Sequence, residues 1–245
     1  MTRIELIAVD GLPEVRRGDD LGELIVSRST LQAGDVLVVA QKVVSKAEGR
    51  VVSLAGVTAT DEAVRIASSL IAGPDPRMVQ VVLDESVRVL RSERVLITET
   101  RHGFVCANGG VDHSNVPGDD QVTLLPEDPD ASAERLRGRV RTLTGLDVGV
   151  IVSDTFGRPW RLGIVNVALG IAGLPALLDL RGTPDDTGKP LRATVLAIAD
   201  DLAAAAGVVM GKTHRNPAVI VRGLKMHGSG TGRELVRPAP EDLFR

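Results

Sequence analysis

Three short stretches of this chain are apolar at almost every position: "VLVVA" at 36–40, "VGVIV" at 148–152 and "PAVIV" at 217–221. Their β-branched residues do not alternate with polar ones. Such runs mark strands covered on both faces, because a strand with one wet face alternates. A chain carrying three of them must build a sheet with packing on either side. The first run continues as "DVLVVAQKVVSK" and is expected to stay extended until the polar stretch Ser45, Lys46, Ala47, Glu48 and Gly49.

The remaining elements mix strands with helices. "IELIAVDGLP" reads as a strand ending in a Gly-Leu-Pro turn, and "DDLGELIVSRS" as a capped helix. "DEAVRIASSLIAG" and "DPRMVQVVLDESVRVL" read as two helices, the second with Asp75 as N-cap and Pro76 at its first position. "RVLITET" and "GFVCANGG" read as paired strands. "DPDASAERLRGRVRTLTG" is a helix with Asp130 as its expected cap and Gly145 as its stop. The small-residue stretch "IVNVALGIAG" reads as a helix, "RGTPDDTGKPLRA" as a loop, and "TVLAIADDLAAAAGVVMG" as a strand-like start that becomes helical. There is no regular βαβ alternation, so the expected class is α+β with mixed α/β sheets. The chain is taken as one domain, 1–245. A division into 1–95 plus 215–245 and 96–214 is the expected subdomain split.

At 245 residues and 43% hydrophobic content the chain can bury a real core. A net charge of -3 gives no basic surface for nucleic acid or for an anionic membrane. A single cysteine, Cys106, excludes an intrachain disulfide and fits a reducing, cytoplasmic setting. The N-terminus carries acids and Pro13 too early for a signal peptide, and no apolar run approaches the roughly 20 residues needed to cross a bilayer.

Chemistry concentrates in two places. "CANGGVDHSNVPGDD", Cys106 to Asp120, crowds polar donors between apolar segments. "VIVSDTFGRPW" puts Asp154 and Thr155 directly after a buried strand. Two aspartates at strand exits, Asp112 and Asp154, with the Thr155 hydroxyl, form a hard-oxygen set suited to Mg²⁺ or Mn²⁺, which takes one or two carboxylates and fills its shell with phosphate. The competing reading makes both aspartates turn acids or helix caps. Arg158 and Arg161 follow Asp154 within one or two helical turns and could fork onto phosphate or carboxylate; alone, a solvated arginine face explains them better. "GVVMGKT" is one residue short of a P-loop and follows a helix, so it is not a Walker motif, although Lys212 could touch phosphate. "GSGTGRE" lacks the strand-then-helix setting of a dinucleotide fingerprint and reads as a flexible loop. His102 and His113 have no zinc spacing, and Cys106 reads as an inert buried thiol. Glu85 reads as an exposed helix acid, and Lys46 as a surface lysine within reach of a phosphate.

Together, "GLPEVRRGDDL", "SKAEGR", "ANGGVDHSNV", "SDTFGRPWRLGIVNVALGIAGL", "AIADDLAAAAGVVMGK" and "PAVIVRG", in that order, resemble the coenzyme F420-0:L-glutamate ligase family across essentially the whole chain. The resemblance is to the stand-alone form, without the flavin-binding extension found in actinobacteria. It implies an unusual two-domain α+β fold and an intertwined homodimer. Residue by residue, it implies GTP contacts at Leu12, Pro13, Glu14, Val15, Gln41, Lys46 and Asn115, and around Met210, Gly211 and Lys212. It implies metal ligands at Asp112, Asp154 and Thr155, for two Mg²⁺ or Mn²⁺ per subunit with K⁺ as a further cation. Gly109 and Gly110 would let backbone approach the phosphates. Three positions depart from the family pattern: Thr187 where an aromatic is common, Asp201 where glutamate is common, and Gln41 where serine or threonine is common.

The activity so implied is GTP-dependent addition of L-glutamate to the phospholactyl carboxylate of the deazaflavin F420-0 through an acyl phosphate, followed by γ-linked glutamate. Asp112, Asp154, Arg158 and Arg161 are the expected catalytic group, with the two arginines holding the coenzyme's phosphate or the glutamate. A metal-dependent nucleotide phosphohydrolase and a non-catalytic GTP-binding protein are the alternatives. The first predicts GTP hydrolysis without glutamate, the second binding without turnover.

Overall fold

The computed structural model describes residues 3–114, 118, 120–224 and 226–242. Its largest sheet has five strands: β1 (Glu5–Ala8), β2 (Val36–Ala40), β8 (Gly149–Arg158), β9 (Arg161–Ala172) and β12 (Ala218–Arg222). Their order is β1-β12-β2-β8-β9, with β2 and β8 parallel and the other neighbours antiparallel. Strands β1, β2 and β8 therefore point the same way; β2 ends at Ala40, opposite Ser153, and β8 runs on past it to Arg158.

The three apolar runs are the centre of this sheet, and their two-sided burial has a simple cause. Leu37, Val39, Val150, Val152 and Ile220 face a layer that includes Ile25 of α1 (Leu21–Val26) and Leu136 and Val140 of α5 (Pro129–Thr144). Val36, Val38, Ile151, Val219 and Val221 face Leu202, Ala203, Ala206 and Met210 of α6 (Ile198–Met210) on the other side. Successive side chains alternate between two covered faces, so every position must be apolar.

A second cluster, with Ala63, Val82, Leu96 and Val122 at its centre, builds the rest. It joins α3 (Asp61–Ser69) and α4 (Pro76–Asp84) to a three-stranded sheet of β4 (Ser86–Arg91), β5 (Ile97–Thr100) and β6 (Val105–Ala107). The pair β3 (Val51–Ser53) and β7 (Gln121–Thr123) completes it. A further pair, β10 (Leu178–Asp179) and β11 (Val195–Leu196), flanks the exposed loop 181–190. The mixed sheets agree with the expected class.

Several local expectations are corrected. The first apolar run leaves the sheet at Ala40, and Gln41–Ala47 is a helix, α2. The ladder to β12 ends where Ala40 N–H meets the Pro217 carbonyl; beyond it, Gln41 and Ser45 bond one turn apart at 2.9 Å, and Val44 packs into the core. The helix from Asp75 stops at Asp84, and "SVRVLR" pairs with β5 as a strand. Asp75 caps it as expected. In α5 the cap is Asp128 rather than Asp130. The Asp130 Oδ1 accepts instead from the N–H groups of Ile171 and Gly232, each at 2.8 Å, and ties the C-terminal segment to β9.

The largest correction is "IVNVALGIAG", which is strand β9 and not a helix. It pairs with β8 in a long hairpin, with register shifts at Val152/Ser153 and Gly157/Arg158. Its small residues serve close approach. A Cβ on Gly170 would stand 2.0 Å from the Pro129 carbonyl oxygen, where α5 begins. The glycines of "GSGTGRE" act likewise rather than forming a flexible loop. A Cβ on Gly232 would stand 1.9 Å from the Leu169 carbonyl oxygen, and one on Gly230 2.2 Å from Ala176 N.

Candidate functional site

The edge where β1 and β2 end, beside the middle of β8, carries a cleft of about 830 Å³. The turn after β1 brings Leu12, Pro13, Glu14 and Val15 to it; α2 brings Gln41 and Lys42 from its first turn and Lys46 from its last. From β8 come Ser153, Asp154 and Thr155, and from β9, across the hairpin, Asn166. The end of α6 adds Met210, Gly211 and Lys212. Asp112 and Ser114 close it from the smaller cluster, where Asp112 pairs with Thr123 beside β7 through backbone bonds of 3.0 and 2.8 Å.

Eleven sequence positions from the N-terminal turn, α2, β8 and α6 thus meet Asp112 in one cleft, and Asp154 and Thr155 lie within β8 rather than beyond it. Asn115 lies outside the described residues. Arg158 and Arg161 are exposed and face each other at the far end of the β8–β9 hairpin, outside the cleft. Four extended residues separate Arg158 from Asp154, about 13 Å; the helical spacing expected for them does not exist. The Arg158 guanidinium donates to the Leu162 carbonyl. Gly109 and Gly110 do not line the cleft. A Cβ on Gly110 would meet Leu125 at 2.6 Å, so these glycines make a turn against the core.

Asp112 is held firmly. Lys42 Nζ donates to its Oδ2 at 2.7 Å, the Ser114 N–H to its Oδ1 at 2.7 Å and the Ser114 hydroxyl to its Oδ2 at 2.9 Å. Burial alone would push this carboxyl up, but Lys42 and Ser114 hold it below its ordinary value. Asp154 is the opposite case. Burial pushes it up to about 6; the Thr155 N–H opposes this, the negative charge of Asp112 adds to it, and Lys212 and Lys42 offset part of it. Among the described residues no side-chain donor bonds the Asp154 carboxylate.

Thr155 is oriented from two sides. Its hydroxyl lies 3.3 Å from Asn166 Oδ1, its cross-strand partner, and accepts from Lys212 Nζ at 2.6 Å. Asn166 also donates to the Ser153 hydroxyl at 3.3 Å. Gly207 of α6 gives Asn166 its space, since a Cβ there would stand 2.8 Å from Asn166 Cγ. Lys46 is buried, 7% exposed, and pairs with Glu14 at 2.5 Å; it is not a surface lysine. Glu85 is not a free helix acid, for it pairs with Arg50 at 2.7 Å. Cys106 is buried and its thiol is pushed up to about 12, by burial first and by Asp154 second, so it stays protonated.

Lys42, Ser114, Ser153 and Asn166 are missing from the sequence-derived set. Lys42 and Lys46 stand one helical turn apart, a signal hidden while the segment reads as a strand. Asn166 is hidden because its strand reads as a helix.

Among the described residues no three His, Cys, Asp or Glu side chains cluster as metal ligands. The cleft instead offers Asp112 and Asp154, near enough for one to raise the other, the hydroxyls of Ser114, Ser153 and Thr155, and three lysines. These are hard oxygens with room for few protein ligands, which fits a divalent cation that completes its shell on a polyanion. The class so defined is a mixed α/β protein with one cleft that gathers paired carboxylates, hydroxyls and three lysines.

Comparison with known proteins makes this more specific. Residues 11–223 match the family of F420-0:gamma-glutamyl ligases, and the chain belongs to that family. It is 47% identical to the coenzyme F420:L-glutamate ligase of Methanopyrus kandleri, across 99% of this chain and 97% of that protein. Identity to the proteins of the same name is 45% in Archaeoglobus fulgidus, across 99% and 97%, and 44% in Methanothermobacter thermautotrophicus, across 99% and 99%.

Proposed function

We propose that this protein joins L-glutamate to the phospholactyl carboxylate of F420-0 with GTP as energy source, and then adds further glutamate through the γ-carboxyl. The observation that carries this reading is the single cleft joining Asp112, Asp154 and Thr155 to Lys42, Lys46 and Lys212, in a chain of this family.

A carboxylate resists amines because its charge repels the nucleophile and oxide is a poor leaving group. In the proposed reaction its oxygen attacks the γ-phosphorus of GTP and GDP departs. The amine of glutamate then attacks the acyl carbon, phosphate leaves, and the amine loses a proton. Such transfer needs in-line positioning and neutralisation of spreading charge. Lys42, Lys46 and Lys212 supply positive charge around the cleft. Leu12 to Val15 and Gln41 line the cleft with Lys46, and Met210 and Gly211 lead to Lys212 beside Thr155. Asp112, Asp154 and Thr155 would hold Mg²⁺ or Mn²⁺, two per subunit, with K⁺ as a further cation. Such ions neutralise the phosphoryl oxygens when bound.

Arg158 and Arg161 keep a proposed role in holding the deazaflavin's phosphate or the glutamate, now from the hairpin tip. Trp160, Leu162 and Ile164 are exposed on the same tip and support a homodimer. No described helix is long and apolar enough to cross a membrane.

The test is GDP release from GTP with Mg²⁺ or Mn²⁺, omitting glutamate or the deazaflavin in turn. Release that requires the deazaflavin supports the reading. Release from GTP alone makes the protein a nucleotide phosphohydrolase, and tight GTP binding without release makes it a sensor.

A further inference from the structure

The oxygens expected to receive a cation already receive the chain's own ammonium groups. Lys42 Nζ sits among three oxygens: Asp112 Oδ2 at 2.7 Å, Ser114 Oγ at 2.8 Å and the Ser114 carbonyl. Lys212 Nζ sits 2.6 Å from Thr155 Oγ1. Asp154, between them, has no side-chain donor among the described residues. Asp112 Oδ2 takes Lys42 and the Ser114 hydroxyl together, while Oδ1 takes the Ser114 N–H. This arrangement suits a +1 charge. A divalent ion lies about 2.1 Å from a carboxylate oxygen. Placed on Oδ2, it would stand within about 5 Å of the ammonium, where two positive charges repel strongly in a partly buried site.

We propose that Lys42 is a built-in competitor for the divalent cation: in the nucleotide-free protein its ammonium holds the cation's place on Asp112 and must swing out before the cation binds. The inference rests on the reading of Asp112 as a cation ligand. Lys42 is suited to such a movement. It projects from the first turn of α2 on a four-carbon stem, and its side chain is 17% exposed along the cleft wall. Its ammonium needs a new anionic partner when it leaves, and a polyphosphate entering the same cleft provides one. The cation alone therefore binds weakly, and cation and polyphosphate bind together. Asp112 and Asp154 are kept from being bridged by a cation before the polyphosphate arrives.

The experiment titrates Mn²⁺ alone into the nucleotide-free full chain and follows free Mn²⁺ by electron paramagnetic resonance. Wild type, Lys42→Met and the charge-retaining Lys42→Arg are compared, with and without guanosine diphosphate. Lys42→Met, which removes the charge and keeps the length, is expected to bind Mn²⁺ at least about tenfold more tightly than wild type, about 1.4 kcal/mol. Lys42→Arg stays weak. The gain in Mn²⁺ affinity from guanosine diphosphate shrinks in Lys42→Met, a change that a loss of packing would not produce. Circular dichroism checks the fold, and Lys42→Gln replaces Met if that variant does not fold. Equal or weaker Mn²⁺ binding by the neutral variant, with wild type binding measurably, overturns the competitor and leaves the cation site standing. No Mn²⁺ binding by any form, with or without the nucleotide, removes the cation reading and the competitor with it.

Discussion

Asp154→Asn is expected to make the metal-free protein more stable while abolishing turnover. The carboxyl ordinarily titrates at 3.8 and is pushed up to about 6 by burial, with Asp112 adding. Below pH 3.8 the group is protonated in the folded and the unfolded chain, and its burial carries no charge penalty. Above about pH 6 it is ionised in both, and the folded chain bears the whole cost of a buried negative charge beside Asp112. Stability contributed by this position is thus present at low pH and lost as pH rises through the folded value. At about 1.4 kcal/mol per pH unit the gap corresponds to about 3 kcal/mol. Asparagine keeps the shape and never ionises. In chelator at pH 7.5 the variant should gain up to about 3 kcal/mol, or up to roughly 10 °C in Tm for a chain of this size. The gain should disappear near pH 4. Differential scanning calorimetry at pH 4, 5.5 and 7.5 with chelator measures it. Mn²⁺ with a nucleotide triphosphate should stabilise wild type and not the variant. A variant that melts at or below wild type at pH 7.5, or whose gain is the same at pH 4, would refute the reasoning.

Three further expectations rest on packing. Gly170→Ala drives a Cβ to 2.0 Å from backbone at the start of α5; it should cost at least about 3 kcal/mol in denaturant unfolding or prevent folding. Gly207→Ala meets the movable end of Asn166, so the helix-propensity gain of about 1 kcal/mol should offset the crowding. Its Tm should stay close to wild type while kcat falls through misorientation of Thr155. Cys106, buried with its thiol pushed up to about 12, should resist iodoacetamide at pH 8 in the native protein and react once denaturant unfolds it.

The central sheet was legible because burial on two faces writes itself as an unbroken β-branched run, as at Val36–Ala40 and Gly149–Val152. The continuation of the first run was not legible. Val43 and Val44 make Gln41–Ala47 read on from the apolar run, yet it turns helical where the ladder partner ends at Pro217. In β9 the small residues mimic a packed helix, yet Gly170 makes room for the backbone at the start of α5. That misreading hid Asn166. Asp112, Asp154, Thr155 and Lys212 were legible as chemistry, but their meeting depends on the middle of β8, the end of α6 and the bridge at Asp112 coming to one cleft, which residue patterns do not encode locally. The distance of Arg158 from Asp154 was misjudged through length: four residues of strand reach more than twice as far as one helical turn.

The most direct measurement starts with F420-0 carrying ¹⁸O in its phospholactyl carboxylate, incubated with the protein, GTP, Mn²⁺ and L-glutamate. Mass spectrometry then tracks both the deazaflavin and the released phosphate. The account predicts a deazaflavin heavier by whole glutamyl residues and one ¹⁸O per phosphate released in the first addition. Unlabelled phosphate with an unchanged deazaflavin would contradict it.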